Sequence, residues 1–114
     1  MDLIIYHYSK CKKSRAALDY LKCHSIEPVV INYVEEGINP EKLKELCSML
    51  NLKPSDLVRR QEEYYKETLK DQSLSEEDWI KILCEYPKLI KRPIVLKDSD
   101  CVIADPPQLI NHLL

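Results

Sequence analysis

In the first third of the chain, two short apolar runs flank a segment in which apolar residues recur at helical spacing. Residues 3–7 and 28–33 are apolar runs with β-branched residues at their centres, which predicts two strands, the second of them parallel and buried. Between them, Ala17, Leu18 and Leu21 recur at helical spacing, which predicts a helix that ends near His24. Together these segments predict a β-α-β unit.

The middle of the chain has helical periodicity instead. Asn39 followed by Pro40 is a typical helix start, and Ser75 with Asp78 three residues later is a weaker form of the capping box. We therefore expect a helical insert at about residues 40–86. One buried face is predicted for the first of these helices from the spacing of Leu43, Leu46, Cys47 and Leu50. The apolar residues after the second start are Trp79, Ile82, Leu83 and Tyr86.

The C-terminal part returns to strands. Residues 93–97 and 101–104 are apolar runs on either side of a polar turn, which predicts a hairpin, and Pro106 with Pro107 begins a final helix. The element order is then β-α-β, a helical insert, and β-β-α. This order predicts a single α/β domain over residues 1–114, with a small mixed four-stranded sheet.

Composition and charge narrow the classes of function. The chain has 114 residues, 45% of them hydrophobic, and a formal net charge of −2, as expected for one globular domain. The near-neutral charge argues against an extended nucleic-acid-binding surface, so we expect no direct nucleic-acid partner. Gly37 is the single glycine, which excludes two kinds of glycine-rich phosphate loop. The first apolar run is too short for a signal peptide or a membrane span, so we expect no membrane partner.

The five cysteines are an odd number, and without a secretory signal they predict free thiols in a reducing cytoplasm. Cys47, Cys84 and Cys101 lie in apolar patterns and are predicted to pack as small hydrophobic residues. Cys23 precedes His24, but no second Cys/His pair stands at ligand spacing, so we expect no metal site.

Cys11 has a different setting, because it lies where the first strand gives way to the first helix. Nearby cations and the N–H groups of a helix N-terminus both favour a thiolate, the reactive form of cysteine. The cations here are Lys10, Lys12, Lys13 and Arg15. Ser14 and His7 are expected neighbours of the sulfur. The alternative is that this loop is a solvated surface and Cys11 is an ordinary exposed thiol.

Three segments together resemble the arsenate reductase family of glutaredoxin-like proteins. Residues 6–15 resemble its catalytic motif, a strand-end histidine followed by Cys-x-x-Ser-Arg. Residues 57–65 resemble a segment with an arginine before an acidic and aromatic stretch, and residues 87–95 resemble one in which an arginine precedes a cis-proline. The match covers essentially the whole chain. It implies a three-layer thioredoxin-like fold with a helical insert.

The resemblance also implies a chemistry. Cys11 would be the nucleophile that attacks arsenate, with glutathione as co-substrate and no bound cofactor; glutaredoxin, or a similar thiol reductant, would then reduce the mixed disulfide left on Cys11. His7, Ser14 and Arg15 would stabilise the thiolate. Arg59 and Arg92 would hold the oxyanion, with Pro93 in the cis form, since a guanidinium bonds two oxygens at once.

One position departs from the family pattern. Members that reduce arsenate have a third arginine just before a proline beyond the C-terminal hairpin, and here that position holds Asp105. A carboxylate near a bound oxyanion repels it. An alternative is therefore a glutathione-linked disulfide oxidoreductase without arsenate activity. Another is a regulator that binds RNA polymerase, although relatives of that kind use a Cys-x-x-Cys switch and Ser14 replaces the second cysteine.

Overall fold

The computed structural model describes residues 2–114; Met1, with which the predicted domain begins, lies outside the described residues. The chain forms two compact units. The sheet unit comprises residues 2–36 and 92–114, and the helical unit comprises Gly37–Lys91. Gly37, the first residue of the helical unit, has a φ of +85°, which a glycine adopts without strain.

The sheet unit is built on a four-stranded mixed sheet, as the sequence predicts. Its strands are β1 (Leu3–Tyr6), β2 (Val29–Ile31), β3 (Ile94–Lys97) and β4 (Asp100–Ile103). Their order is β2-β1-β3-β4, in which β1 and β2 are parallel and the other two pairs are antiparallel. Because β1 is central, the loop that follows it leaves from the middle of the sheet.

Helix α1 (Lys12–Cys23) follows that loop, and the one-turn helix α2 (Tyr33–Glu36) follows β2. The predicted final helix is a 3₁₀-helix over Pro107–Leu113. A core cluster joins residues of the sheet, α1 and this 3₁₀-helix: Leu3, Ile5, Ala17, Leu21, Val95, Ala104, Ile110 and Leu113. This packing fixes α1 against the sheet and thereby fixes the position of its first turn.

The prediction that the second strand is buried was wrong. Val29 and Val30 are 45% and 39% exposed, because β2 lies at an edge of the sheet. The strand is also shorter than predicted, since Tyr33 begins α2 and packs its buried ring 6.4 Å from the ring of Tyr6.

The helical unit contains α3 (Pro40–Leu50) and α4 (Glu76–Glu85). Both begin as predicted, α3 with Asn39 as its N-cap and α4 with a capping box between Ser75 and Asp78. Tyr86, which follows α4, is 39% exposed, and the centre of its ring lies 4.3 Å from that of Tyr64. Shorter helical segments complete the unit: Pro54–Leu57, a π-helical turn at Tyr65–Leu69, and Pro87–Leu89. None of the helices in residues 2–114 has the length and apolarity needed to cross a bilayer.

The capping box of α4 yields a stability prediction. The Ser75 hydroxyl accepts from the Asp78 N–H, and the Asp78 carboxylate accepts from the Ser75 N–H, both at 3.1 Å. Ser75→Ala is expected to lower the free energy of unfolding by about 1 kcal/mol, because the Asp78 N–H in the first turn of α4 loses its acceptor. Urea unfolding measures the change, with Ser73→Ala as the control at an exposed position two residues earlier. Equal midpoints for the two variants would contradict the prediction.

Candidate active site

Cys11 occupies the N-cap position of α1. Its backbone is extended, with φ −102° and ψ 126°, and its side chain is half-buried. The Cys11 N–H donates to the Tyr8 carbonyl at 3.0 Å, which closes the loop between β1 and α1. An N-cap side chain faces the free N–H groups of the next residues, so the sulfur lies where a helix stabilises negative charge.

The pKa of the Cys11 thiol is lowered from its ordinary value of 9.0 to about 7. Burial works in the opposite direction and raises this pKa, but hydrogen bonds to the sulfur outweigh it. The donors are the backbone N–H of Ser14, the side chain of Arg92 and the backbone N–H of Lys13, and the charge of Arg92 adds to their effect. About half of the thiol is therefore ionised at pH 7.

Two of the four cations near Cys11 bond to other groups. Arg15 donates from Nη1 to the Ser9 carbonyl at 2.8 Å, and Lys13 pairs through Nζ with Asp105. The sequence predicts that nearby cations and the N–H groups of the helix N-terminus both stabilise the thiolate. In the structure, two such N–H groups lower the pKa of Cys11, and the charge that lowers it is that of Arg92. The role of Arg15 in stabilising the thiolate stays a prediction.

His7 and Ser14 lie in the interior of the sheet unit. His7 follows β1 and is 5% exposed, and Ser14 is fully buried. Burial lowers the pKa of the His7 imidazole; the backbone of Ser14 raises it, and the charges of Arg15 and Lys22 lower it. Because the net shift is downward, His7 is neutral at pH 7 and adds no positive charge to the thiolate.

Ser14 acts on Cys11 through its backbone N–H rather than through its hydroxyl. Within residues 2–114, the Ser14 Oγ and the His7 Nδ1 are buried atoms without a hydrogen-bond partner. Both atoms therefore keep unused hydrogen-bonding capacity inside the sheet unit.

Arg92 is brought to the site by the start of β3. Its side chain is buried at 7% exposure, and the guanidinium carbon lies 4.9 Å from the centre of the Tyr8 ring, a cation–π contact. The Arg92–Pro93 peptide bond is cis, as the resemblance implies, and Pro93 is buried. The Pro93 carbonyl accepts from the Ala104 N–H at 2.9 Å, which ties this segment to the end of β4.

Asp105 follows directly after Ala104, and a second cis bond joins it to Pro106. Its Oδ2 lies 2.8 Å from the Nζ of Lys13, two residues beyond Cys11. The sequence predicts that this carboxylate repels an oxyanion. The ion pair changes that expectation, because the charge of Lys13 offsets that of Asp105.

Arg59 belongs to the helical unit. Its backbone N–H donates to the Leu89 carbonyl at 2.7 Å, and its Nε lies 3.3 Å from Oε2 of Glu62. Arg59 is thus held by a partly buried ion pair that the sequence interpretation did not include. Its role as an oxyanion ligand stays a prediction from the resemblance.

A model of the ArsC family matches residues 6–112, which is nearly the whole chain. The chain belongs to the ArsC family. The protein of Escherichia coli K12 named uncharacterized protein YfgD is 39% identical over 112 residues, which cover 96% of this chain and 94% of that one. The arsenate reductase of Haemophilus influenzae is 30% identical over 116 residues, covering 100% of both chains.

A solved ArsC-family structure has the same fold. The arsenate reductase from Vibrio cholerae is 39% identical and superposes with a TM-score of 0.93, covering 100% of this chain and 98% of that one. The thioredoxin-like α/β fold implied by the sequence is thereby confirmed. ArsC-family membership supports the coarse function as well, a thiol-dependent oxidoreductase.

The other cysteines of this ArsC-family chain differ from Cys11. Burial raises the pKa of the Cys101 thiol to about 12 and also raises that of Cys84. Burial raises the pKa of Cys47 too, aided by Glu76 and Asp56. Cys47 is buried as predicted, Cys84 and Cys101 are partly buried, and Cys23 is exposed. In residues 2–114, no group of three or more His, Cys, Asp or Glu side chains is arranged to hold a metal ion.

Three contacts near the predicted residues were missed from the sequence: the Tyr8 ring against Arg92 and the Lys13–Asp105 ion pair in the sheet unit, and Glu62 beside Arg59 in the helical unit. Glu62 stands three residues after Arg59, a spacing that favours an ion pair and is visible in the sequence. The other two join residues far apart in the chain, so no local signal marks them.

Proposed function

We propose that this chain is a glutathione-dependent reductase that acts on arsenate through Cys11. The observation that carries the proposal is the position of Cys11 at the N-cap of α1, with the Arg92 side chain hydrogen-bonded to its sulfur. These surroundings lower the pKa of the thiol to about 7. A thiolate is the nucleophilic form of cysteine, and a guanidinium beside it suits an oxygen-rich anion. The named arsenate reductases among the relatives support arsenate as the substrate.

The proposed steps consume two thiols and reduce arsenic by two electrons. The Cys11 sulfur attacks arsenic, an arsenic–sulfur bond forms, and an oxygen leaves as water after protonation. The glutathione sulfur then forms a disulfide bond with Cys11, and the electron pair of the arsenic–sulfur bond stays on arsenic, which leaves as arsenite. Glutaredoxin, or a similar thiol reductant, returns Cys11 to the thiol by disulfide exchange.

A second candidate function is favoured by the Lys13–Asp105 ion pair. Where arsenate-reducing relatives have a third arginine, this chain has a carboxylate that pairs with Lys13 in the first turn of α1. This arrangement provides no additional net positive charge for an oxyanion. Glutathione-linked reduction of small disulfides, which needs Cys11 but no oxyanion site, is therefore the second candidate.

The two candidates are separated by one coupled assay. Oxidation of glutathione is followed with glutaredoxin present, with either arsenate or bis(2-hydroxyethyl) disulfide as the oxidant. The first proposal expects arsenate-dependent turnover above a Cys11→Ser blank, and an increase of roughly tenfold in Asp105→Arg, because an added guanidinium binds the anion. Two results together would reject the first proposal in favour of the second. The wild type would turn over the disulfide but not arsenate, and Asp105→Arg would gain no arsenate turnover.

A further inference from the structure

The Lys13–Asp105 ion pair is anchored to both segments that form the thiol site. Lys13 lies in the first turn of α1, and its backbone N–H is one of the groups that stabilise the Cys11 thiolate. Asp105 follows Ala104, whose N–H donates to the Pro93 carbonyl, and Pro93 follows the arginine that bonds the sulfur. The pair therefore joins the first turn of α1, two residues after Cys11, to the segment that is bonded to Pro93.

The charges of this pair restrict what it can bind. The Lys13 and Asp105 side chains are 48% and 41% exposed, with Nζ and Oδ2 2.8 Å apart. An exposed ion pair adds little to stability, so its partners exchange readily for charges on a ligand. A ligand with one charge would bind one partner and leave the other unpaired. A ligand with an ammonium and a carboxylate on one carbon pairs with both.

We propose that Lys13 and Asp105 form a subsite for the α-amino acid group of the thiol that exchanges with Cys11. In it, the Asp105 carboxylate accepts from the ammonium, and the Lys13 ammonium donates to the carboxylate. The inference rests on the proposed function, because the species recognised is a disulfide or thiol reacting at Cys11. Glutathione and cysteine both carry such a zwitterionic group.

The reaction at this subsite is a thiol–disulfide exchange. The Cys11 thiolate attacks one sulfur of a small disulfide, and a new disulfide bond forms between Cys11 and that half. The original sulfur–sulfur bond breaks, and the other half leaves as a thiolate with the bonding electron pair, taking a proton from water. The reverse step returns Cys11 to the thiolate.

The test measures how fast Cys11 forms mixed disulfides with probes of different charge, using mass spectrometry to quantify the Cys11 peptide. The probes are cystine and glutathione disulfide, in which each half carries a zwitterionic α-amino acid group (with a further carboxylate in glutathione), cystamine (cationic) and dithiodipropionate (anionic). Each rate is divided by that of uncharged bis(2-hydroxyethyl) disulfide, so a change in the reactivity of the thiol itself cancels. The proteins compared are the wild type, Lys13→Met and Asp105→Asn. Lys12→Met is the matched control, because it removes the neighbouring lysine in the same way.

We expect the wild type to favour a zwitterionic probe, and the faster of the two identifies the source of the amino acid group. Each variant of the pair should lose about two- to fivefold of that preference, the size of one exposed ionic contact. The freed partner should then select its own counter-charge: Asp105→Asn should favour dithiodipropionate, and Lys13→Met should favour cystamine. Lys12→Met should keep the wild-type ratios.

Ratios that are the same in the wild type and both variants of the pair would overturn the subsite. The proposed function would survive that result, because the rate with bis(2-hydroxyethyl) disulfide reports the thiol chemistry alone. Failure of Cys11 to react with any of the disulfides would remove the subsite together with the disulfide-reductase candidate, while the arsenate assay would still decide the first proposal.

Discussion

The Cys11→Ser variant is expected to lose its reductase activity to the level of a reaction without the protein, a decrease of at least about a hundredfold, because serine does not form a disulfide and is not ionised near pH 7. The coupled glutathione assay measures this loss. Cys11 is half-buried at a helix N-cap, and serine is itself a favourable N-cap residue. The fold is therefore expected to survive the change, and the unfolding midpoint checks that it does.

Cys23→Ser is the matched control for this variant. Cys23 is exposed at the other end of α1, so its thiol is accessible but lies a whole helix length away from Cys11. Activity that persists in Cys11→Ser and disappears in Cys23→Ser would assign the nucleophile to Cys23 and reject the proposed site.

Arg92→Met is expected to raise the pKa of Cys11 from about 7 towards its ordinary value of 9.0. Arg92 stabilises the thiolate by a hydrogen bond and by its charge, and methionine supplies neither. We expect the midpoint to move up by about one to two pH units, since the N–H groups of Ser14 and Lys13 remain. At pH 7 the thiolate fraction then falls about fivefold for one unit and about fiftyfold for two. Above the new midpoint the difference disappears.

The measurement is the rate of Cys11 alkylation by iodoacetamide as a function of pH, read at the Cys11 peptide. A midpoint comparison is preferable to a rate at one pH, because a thiolate of higher pKa is intrinsically more nucleophilic. Arg15→Met removes the same charge from the loop itself, where the side chain bonds the Ser9 carbonyl. A larger shift in Arg15→Met than in Arg92→Met would contradict the structural account and restore the role that the sequence assigned to the loop cations.

The sequence predicted those parts of the fold whose signals are local. The caps at Asn39 and Ser75 and the strand, loop and helix around Cys11 each depend on residues within a few positions of one another. The exposure of β2 was not predictable in this way. Its β-branched composition suits both a central and an edge strand, and strand order is decided by which segments pair across the chain.

The same holds for the candidate site: features that depend on neighbouring residues were predicted, and contacts between distant segments were not. The position of Cys11 at a helix N-terminus follows from the local pattern, but the arginine that lowers its pKa comes from the start of β3. The sequence interpretation indicated an activated thiol and assigned it to the helix N-terminus and to the nearby cations Lys10, Lys12, Lys13 and Arg15. Long lysine and arginine side chains bond wherever a partner lies within reach, as Lys13 does with Asp105.

The stabilised thiolate has a consequence for the return of the enzyme to its starting state. The groups that make Cys11 an attacking sulfur also make it a good leaving sulfur, because a thiol of low pKa departs faster from a disulfide. Stabilising the reduced form shifts the couple towards a more oxidising potential. In the proposed reaction, a mixed disulfide on Cys11 is then short-lived, because an external thiol reduces it easily. Arg92 and the two N–H groups of α1 therefore favour both the attack by Cys11 and its release from the disulfide.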